Sequence, residues 1–121
     1  MIHNVKNVSL PNYVLDLPAE IHYYENGQLK SQSWHKNGNK HREGDLPAIT
    51  EHHSNGQLLK ESWYKSNKLH RVNFPAEIIY YENGQPYMQI WCRNGKLHKE
   101  EDFPAIIQYH LKWTTLLTKL V

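Results

Sequence analysis

Nine histidines, one cysteine and twelve acidic residues are the side chains of this 121-residue chain that could carry chemistry. Their spacing decides which chemistry is open to them. His41, His70 and His98 each follow a tryptophan (Trp34, Trp63, Trp91) by seven residues. Three histidines would suffice for a zinc ion if they met at one point. Recurrence argues against it, because equivalent positions of successive hairpins lie two strands, about 9–10 Å, apart. Metal ligands must come within about 2 Å of the ion. The expected role is packing against the tryptophan of the same copy. His52 and His53 stand where the other copies have Tyr23-Tyr24 and Tyr80-Tyr81. On a strand these neighbours point to opposite faces. The chain has neither H-E-x-x-H nor a cysteine pair, so no metal and no cofactor is expected.

The nucleophile search ends similarly. Cys92 follows Trp91, where the other copies have His35 and Tyr64. Counting back from the next turn sets it beside Leu97, with no histidine to take its proton. Glu25, Glu82 and Glu101 sit next to turns or links and read as solvated. A phosphate-cradling glycine loop is missing. Side chains present in every copy of a repeat hold the repeat up, whereas a catalytic residue is needed once. The expectation is a protein that is not an enzyme.

Lys30, Lys36, Lys60, Lys65 and Arg93 interleave with aromatic residues, a pattern that can stack single-stranded nucleic acid. Glu20, Glu51, Glu61 and Glu77 share those hairpins and repel phosphate. With 14 basic and 12 acidic side chains the net charge is only +2. That balance lacks the basic excess of a nucleic-acid binder. A lone cysteine and no apolar leader or spanning run predict an intracellular protein.

The elements that position these residues come from one repeated block. Pro18, Pro47, Pro75 and Pro104 recur at intervals of 29, 28 and 29 residues. A fixed period of this length means one supersecondary unit reused, each copy burying its apolar side on the next. The chain divides as one domain over residues 1–121: an N-terminal cap 1–17, repeats 18–46, 47–74 and 75–103, and a partial repeat with a C-terminal cap 104–121. Asn26-Gly27, Asn55-Gly56 and Asn83-Gly84 predict two-residue type I′ hairpin turns. Counting outward sets Tyr24 opposite Leu29, Tyr23 opposite Lys30, Ile21 opposite Gln32 and Ala19 opposite Trp34. Second turns at Asn37-Gly38, Ser66-Asn67 and Asn94-Gly95 set Trp34 opposite His41, Trp63 opposite His70 and Trp91 opposite His98. The links Asp16-Leu17-Pro18, Asp45-Leu46-Pro47, Asn73-Phe74-Pro75 and Asp102-Phe103-Pro104 are held extended by proline. Trp113, Leu116, Leu117, Leu120 and Val121 fall at helical spacing and predict a short amphipathic C-terminal helix.

The predicted fold is therefore all-β, a single-layer antiparallel meander of repeated hairpins with that helix as cap. The regular face carries the alanines and tryptophans. The other carries Tyr24, Leu29, Ile49, Leu58, Ile79, Tyr81, Met88 and Ile90, an apolar surface that asks for a protein partner. The stripe Trp113, Leu116, Leu117 and Leu120 is expected to mediate self-association, as a homodimer.

The string YYENGQLKSQSWHKNGNKHR resembles the units of the MORN-repeat family in a variant form. Similar units occur in bacterial YwqK-type antitoxins, and the longer form with its H-R-x-x-D-x-P-A link resembles repeat proteins encoded by large DNA viruses. The likeness covers about Asp16 to Tyr109. It implies an elongated hairpin array and a non-enzymatic scaffolding or protein–protein interaction role, for a viral protein one acting on host or virus-factory components. Binding of lipid head groups at a membrane, or of single-stranded nucleic acid, is the alternative.

Overall fold

The computed structural model describes residues 15–100 and 103–110, and the backbone of 115–118. Every regular element among them is a β-strand. The first large hairpin pairs β1 (Glu20–Tyr23) with β2 (Leu29–Ser33), and a small one pairs β3 (His35–Lys36) with β4 (Asn39–Lys40). The second copy repeats this with β5 (Ile49–His52), β6 (Leu58–Ser62), β7 (Tyr64–Lys65) and β8 (Lys68–Leu69). The third has β9 (Glu77–Tyr80), β10 (Pro86–Ile90), β11 (Cys92–Arg93) and β12 (Lys96–Leu97). β13 (Ile106–Tyr109) and β14 (Thr115–Thr118) close the array.

The large hairpins lie side by side in one eight-stranded antiparallel sheet, in chain order. After each of the first three the chain leaves the sheet, makes its small hairpin and returns. The small hairpins form three separate two-stranded sheets. Backbone bonds join one to the next, Asn67 N donating to Lys40 O at 3.0 Å and Gly95 N to Leu69 O at 2.8 Å. The meander is as expected, but it runs as two parallel columns.

The first turn of each copy corrects the predicted turn type. Only the glycine takes positive φ, 91° at Gly27, 94° at Gly56 and 92° at Gly84. Gly27 N donates to Tyr24 O at 3.0 Å and Tyr24 N to Gln28 O at 2.8 Å. That is a three-residue loop, a type I turn completed by a left-handed glycine. The asparagine serves differently: Asn26 Oδ1 accepts from Gln28 N at 2.9 Å, as Asn55 does from Gln57 and Asn83 from Gln85. Such a local side-chain bond is what asparagine brings to a turn.

The longer loop shifts the pairing by one, so Tyr23 faces Leu29 instead of Lys30. A bulge at once restores the expected register, with His22 facing Ser31 and Ile21 facing Gln32. The second and third copies repeat the irregularity, His52 facing Leu58 and Tyr80 facing Pro86. The second turns match expectation. Both central residues have positive φ, 54° and 83° at Asn37-Gly38, 50° and 72° at Ser66-Asn67. His41 N donates to Trp34 O at 3.1 Å, and the equivalent bonds join His70 to Trp63 and His98 to Trp91.

The core is thin and lies where the two columns meet. Trp34, Ala48, Trp63, Ala76, Cys92 and Ala105 are its buried apolar residues, with Ser62 beside them. Trp34 N donates to Ala48 O and Trp63 N to Ala76 O, each at 2.7 Å. The backbone of each of these tryptophans is thus tied to that of the small residue of the following copy. Ala48 and Ala76 have no exposed surface at all, so nothing larger fits there.

The predicted terminal helix is corrected as well. Thr115–Thr118 is a strand, with Leu117 opposite Ile107 and Leu116 opposite Gln108. Two β-branched threonines favour the extended form, and β13 offers an edge whose hydrogen bonds a lone short helix could not match. The helical spacing that would gather Trp113, Leu116, Leu117 and Leu120 therefore does not hold at Leu116 and Leu117. Trp113, Leu120 and Val121 lie outside the described residues.

Candidate interaction site

Two surfaces carry residues singled out by type and spacing: one face of the large sheet, and the joints between copies. Paired residues of an antiparallel sheet share a face. Ile49 lies level with Ser33 and Ser62, Ile90 with Glu77 and Ile106, and Ile79 with Lys60 and Met88. Tyr24 borders the same face with Glu20, His22 and Glu51, and Tyr81 borders it with Ile79 and Tyr87. So Tyr24, Ile49, Ile79, Tyr81, Met88 and Ile90 come together as expected. Leu29 and Leu58 do not. The three-residue turn pairs them with Tyr23 and His52, and a one-residue slip moves a side chain to the opposite face. Lys30, Leu59 and Tyr87, the bulged residues, take the places near Tyr24, His53 and Tyr81.

The face changes character along the array. Its first third is polar, with Glu20, His22, Ser31, Ser33 and Glu51 around a hollow of about 450 Å³. Lys30 Nζ stands 5.6 Å from the centre of the Tyr24 ring. Its last third is mainly apolar, with Glu77 opposite Ile90 and Gln108 opposite Met88. Ile79, Tyr81 and Tyr87 border a groove of about 630 Å³, and the two tyrosine rings meet edge to face at 5.1 Å. The tyrosine hydroxyls are already spent on the fold: Tyr24 donates to His52 O at 2.7 Å and Tyr81 to Tyr109 O at 2.9 Å. Their protons are thus not available to a ligand.

The joints are clasps that residue type and spacing did not reveal. The Arg42 guanidinium carbon sits over Trp34, 3.6 Å from the ring centre, and that of Arg71 over Trp63 at 3.8 Å. Arg42 donates Nη2 to Asp16 Oδ2 at 2.8 Å and Nη1 to Pro47 O at 3.1 Å. Arg71 repeats this with Asp45 (Nε to Oδ1, 2.9 Å) and Pro75 O (3.2 Å). The indole N–H of Trp34 donates to Asp16 O at 3.4 Å, that of Trp63 to Asp45 O at 3.1 Å. Stacking together with a forked carboxylate bond is a role that lysine cannot fill. The signal was the recurrent Asp-Leu-Pro, but its arginine lies 26 residues further on.

The repeat histidines bridge copies as well as pairing with tryptophan. Ser66 N donates to His41 Nδ1 at 3.3 Å, and Asn94 N to His70 Nδ1 at 3.1 Å. An Nδ1 that accepts leaves the proton on Nε2. From there His41 donates to Glu43 Oε2 at 2.8 Å. That bond, with Lys36 behind it, holds the Glu43 carboxyl below its ordinary range. Burial, then Lys65 and Arg93, lowers the pKa of His70.

The remaining reactive groups are quiet. Burial and Glu77 push the Cys92 thiol up, the wrong direction for a nucleophile. Burial and a bond to Glu61 raise Tyr80. Among the described residues no three His, Cys, Asp or Glu side chains converge on one point. No helix long and apolar enough to cross a membrane occurs there either. Compared with known proteins, the chain matches no family model, no curated protein and no solved structure.

Proposed function

We propose that this chain is a non-enzymatic protein–protein interaction module, a scaffold of MORN-like hairpins whose contact surface is the apolar third of the sheet face. One observation carries the reading: Ile79, Tyr81, Tyr87, Met88 and Ile90 gather on one face of the sheet and stay only half-buried there. An apolar patch on a rigid platform, with tyrosine rings at its centre, is the composition of a protein contact surface. A phosphate-bearing ligand is disfavoured. The polar third mixes Glu20 and Glu51 with Lys30, and Glu51 is already paired with Lys60 at 3.3 Å.

The test is quantitative affinity capture with wild-type protein, Met88→Glu and Ile21→Glu. Ile21 lies on the opposite face and is 43% exposed, so it controls for added charge. Met88→Glu is expected to lose the captured protein, or a second copy of the chain if that is the partner, while Ile21→Glu keeps it. Equal capture by both variants, or retention on anionic vesicles or single-stranded oligonucleotides instead, would overturn the reading.

A further inference from the structure

The three joints allow an internal comparison. At the first two an aspartate from the preceding link meets an arginine stacked on tryptophan. At the third, Asn73 stands where Asp16 and Asp45 stand, and Lys99 stands where Arg42 and Arg71 stand. The aromatic floor is kept. Lys99 Nζ lies 4.9 Å from the Trp91 ring centre and 5.2 Å from that of Phe103.

Among the described residues no carboxylate pairs with Lys99, and the Trp91 indole N–H has no acceptor, unlike those of Trp34 and Trp63. A cleft of about 240 Å³ opens between Arg71, Asn73, Trp91, Arg93, Lys99 and Phe103. Glu100 on its rim is already engaged by Arg93 at 3.6 Å and lies 4.0 Å from His98. It repeats Glu43, which Lys36 and His41 hold in the first copy. By position Glu101 and Asp102 match Gly44 and Asp45, and Asp45 serves the following joint, not its own.

The cleft therefore presents an ammonium, an amide and an indole N–H together, where in the two sister joints the arginine meets an aspartate carboxylate and the indole N–H meets that aspartate's backbone carbonyl. Its outer wall, Phe103, is 59% exposed. We infer that the third joint binds an acidic side chain of a partner's extended peptide, an aspartate or glutamate flanked by apolar residues. The carboxylate lies beside Asn73, accepts from Lys99 as Asp16 and Asp45 accept from Arg42 and Arg71, and accepts also from the Asn73 amide and the Trp91 indole, while the apolar neighbour lies on Phe103. None of these residues belongs to the apolar sheet face, so the two surfaces fail or succeed separately.

The experiment follows the indole N–H resonances of full-length protein by NMR during titration with capped Leu-Asp-Leu. Leu-Asn-Leu and sodium acetate are the controls. The Trp91 resonance is expected to shift while those of Trp34 and Trp63 hold still. Lys99→Ala should weaken binding about tenfold or more, the loss of one charge-assisted bond. Asn73→Asp should abolish it by supplying the carboxylate from within, and should raise the melting temperature. That stabilised variant keeps the test independent of misfolding. A Trp91 resonance unmoved at about millimolar peptide, the range expected of a single charged contact, would overturn the inference. So would equal binding of Leu-Asn-Leu, of acetate alone, or of peptide by Asn73→Asp.

Discussion

At Trp63 a single residue reaches both neighbouring copies. Its backbone N–H reaches Ala76, its indole N–H reaches Asp45, and its face carries Arg71. Trp63→Ala empties the deepest region of a core that has little else. Denaturant melts should show a loss of about 3–5 kcal/mol; a loss below about 1 kcal/mol would mean that the indole is not buried. The tryptophan and its alanine neighbours were legible because they recur at a fixed interval. Arg42 and Arg71 were not. Their carboxylate partners come from a different copy, and pairs joined across a turn of the array leave no local pattern.

The elements tell a similar story in their turns. The second turns follow from composition, since Asn-Gly and Ser-Asn both accept two positive φ values in succession. The first turns carry the same Asn-Gly pair yet take a longer loop, because the following glutamine N–H offers the asparagine side chain a bond. Composition alone does not separate these outcomes, and the faces of Leu29 and Leu58 depended on the difference. The small hairpins also carry a titratable link. His70 accepts from Asn94 N only while neutral, and its folded pKa lies below the ordinary 6.5. The unfolded chain thus takes up the proton first as pH falls. The stabilisation is complete above about pH 6.5 and is lost progressively below it. Between about pH 7.5 and pH 5, spanning the ordinary histidine value, the melting temperature of wild type should fall further than that of His70→Gln. Parallel pH profiles would show that this histidine does not report on folding.

For the whole molecule, the all-β array of consecutive hairpins was legible from the period, and the terminal helix was misread because a few apolar residues at helical spacing are outweighed by β-branched threonines beside the open edge of β13. The side-chain hydrogen bonds among the described residues span at most 28 positions, one copy to the next. An array bonded only to nearest neighbours tolerates loss of a copy. Excising residues 47–74 joins Leu46 to Pro75 and recreates an Asp-Leu-Pro link. The shortened chain should keep a β-type circular dichroism spectrum and melt cooperatively at a lower temperature. A random-coil spectrum would show that the middle copy is indispensable.

The chain-order arrangement of the large sheet has a mechanical consequence. Tension applied to the two ends meets no strand that crosses over another, so the load falls first on the outermost hairpin, whose ladder bonds can break in succession. The protein would then lengthen in steps of one copy, each releasing about 29 residues or roughly 100 Å of extended chain. Such a ribbon would yield under load in a series of small steps instead of one event.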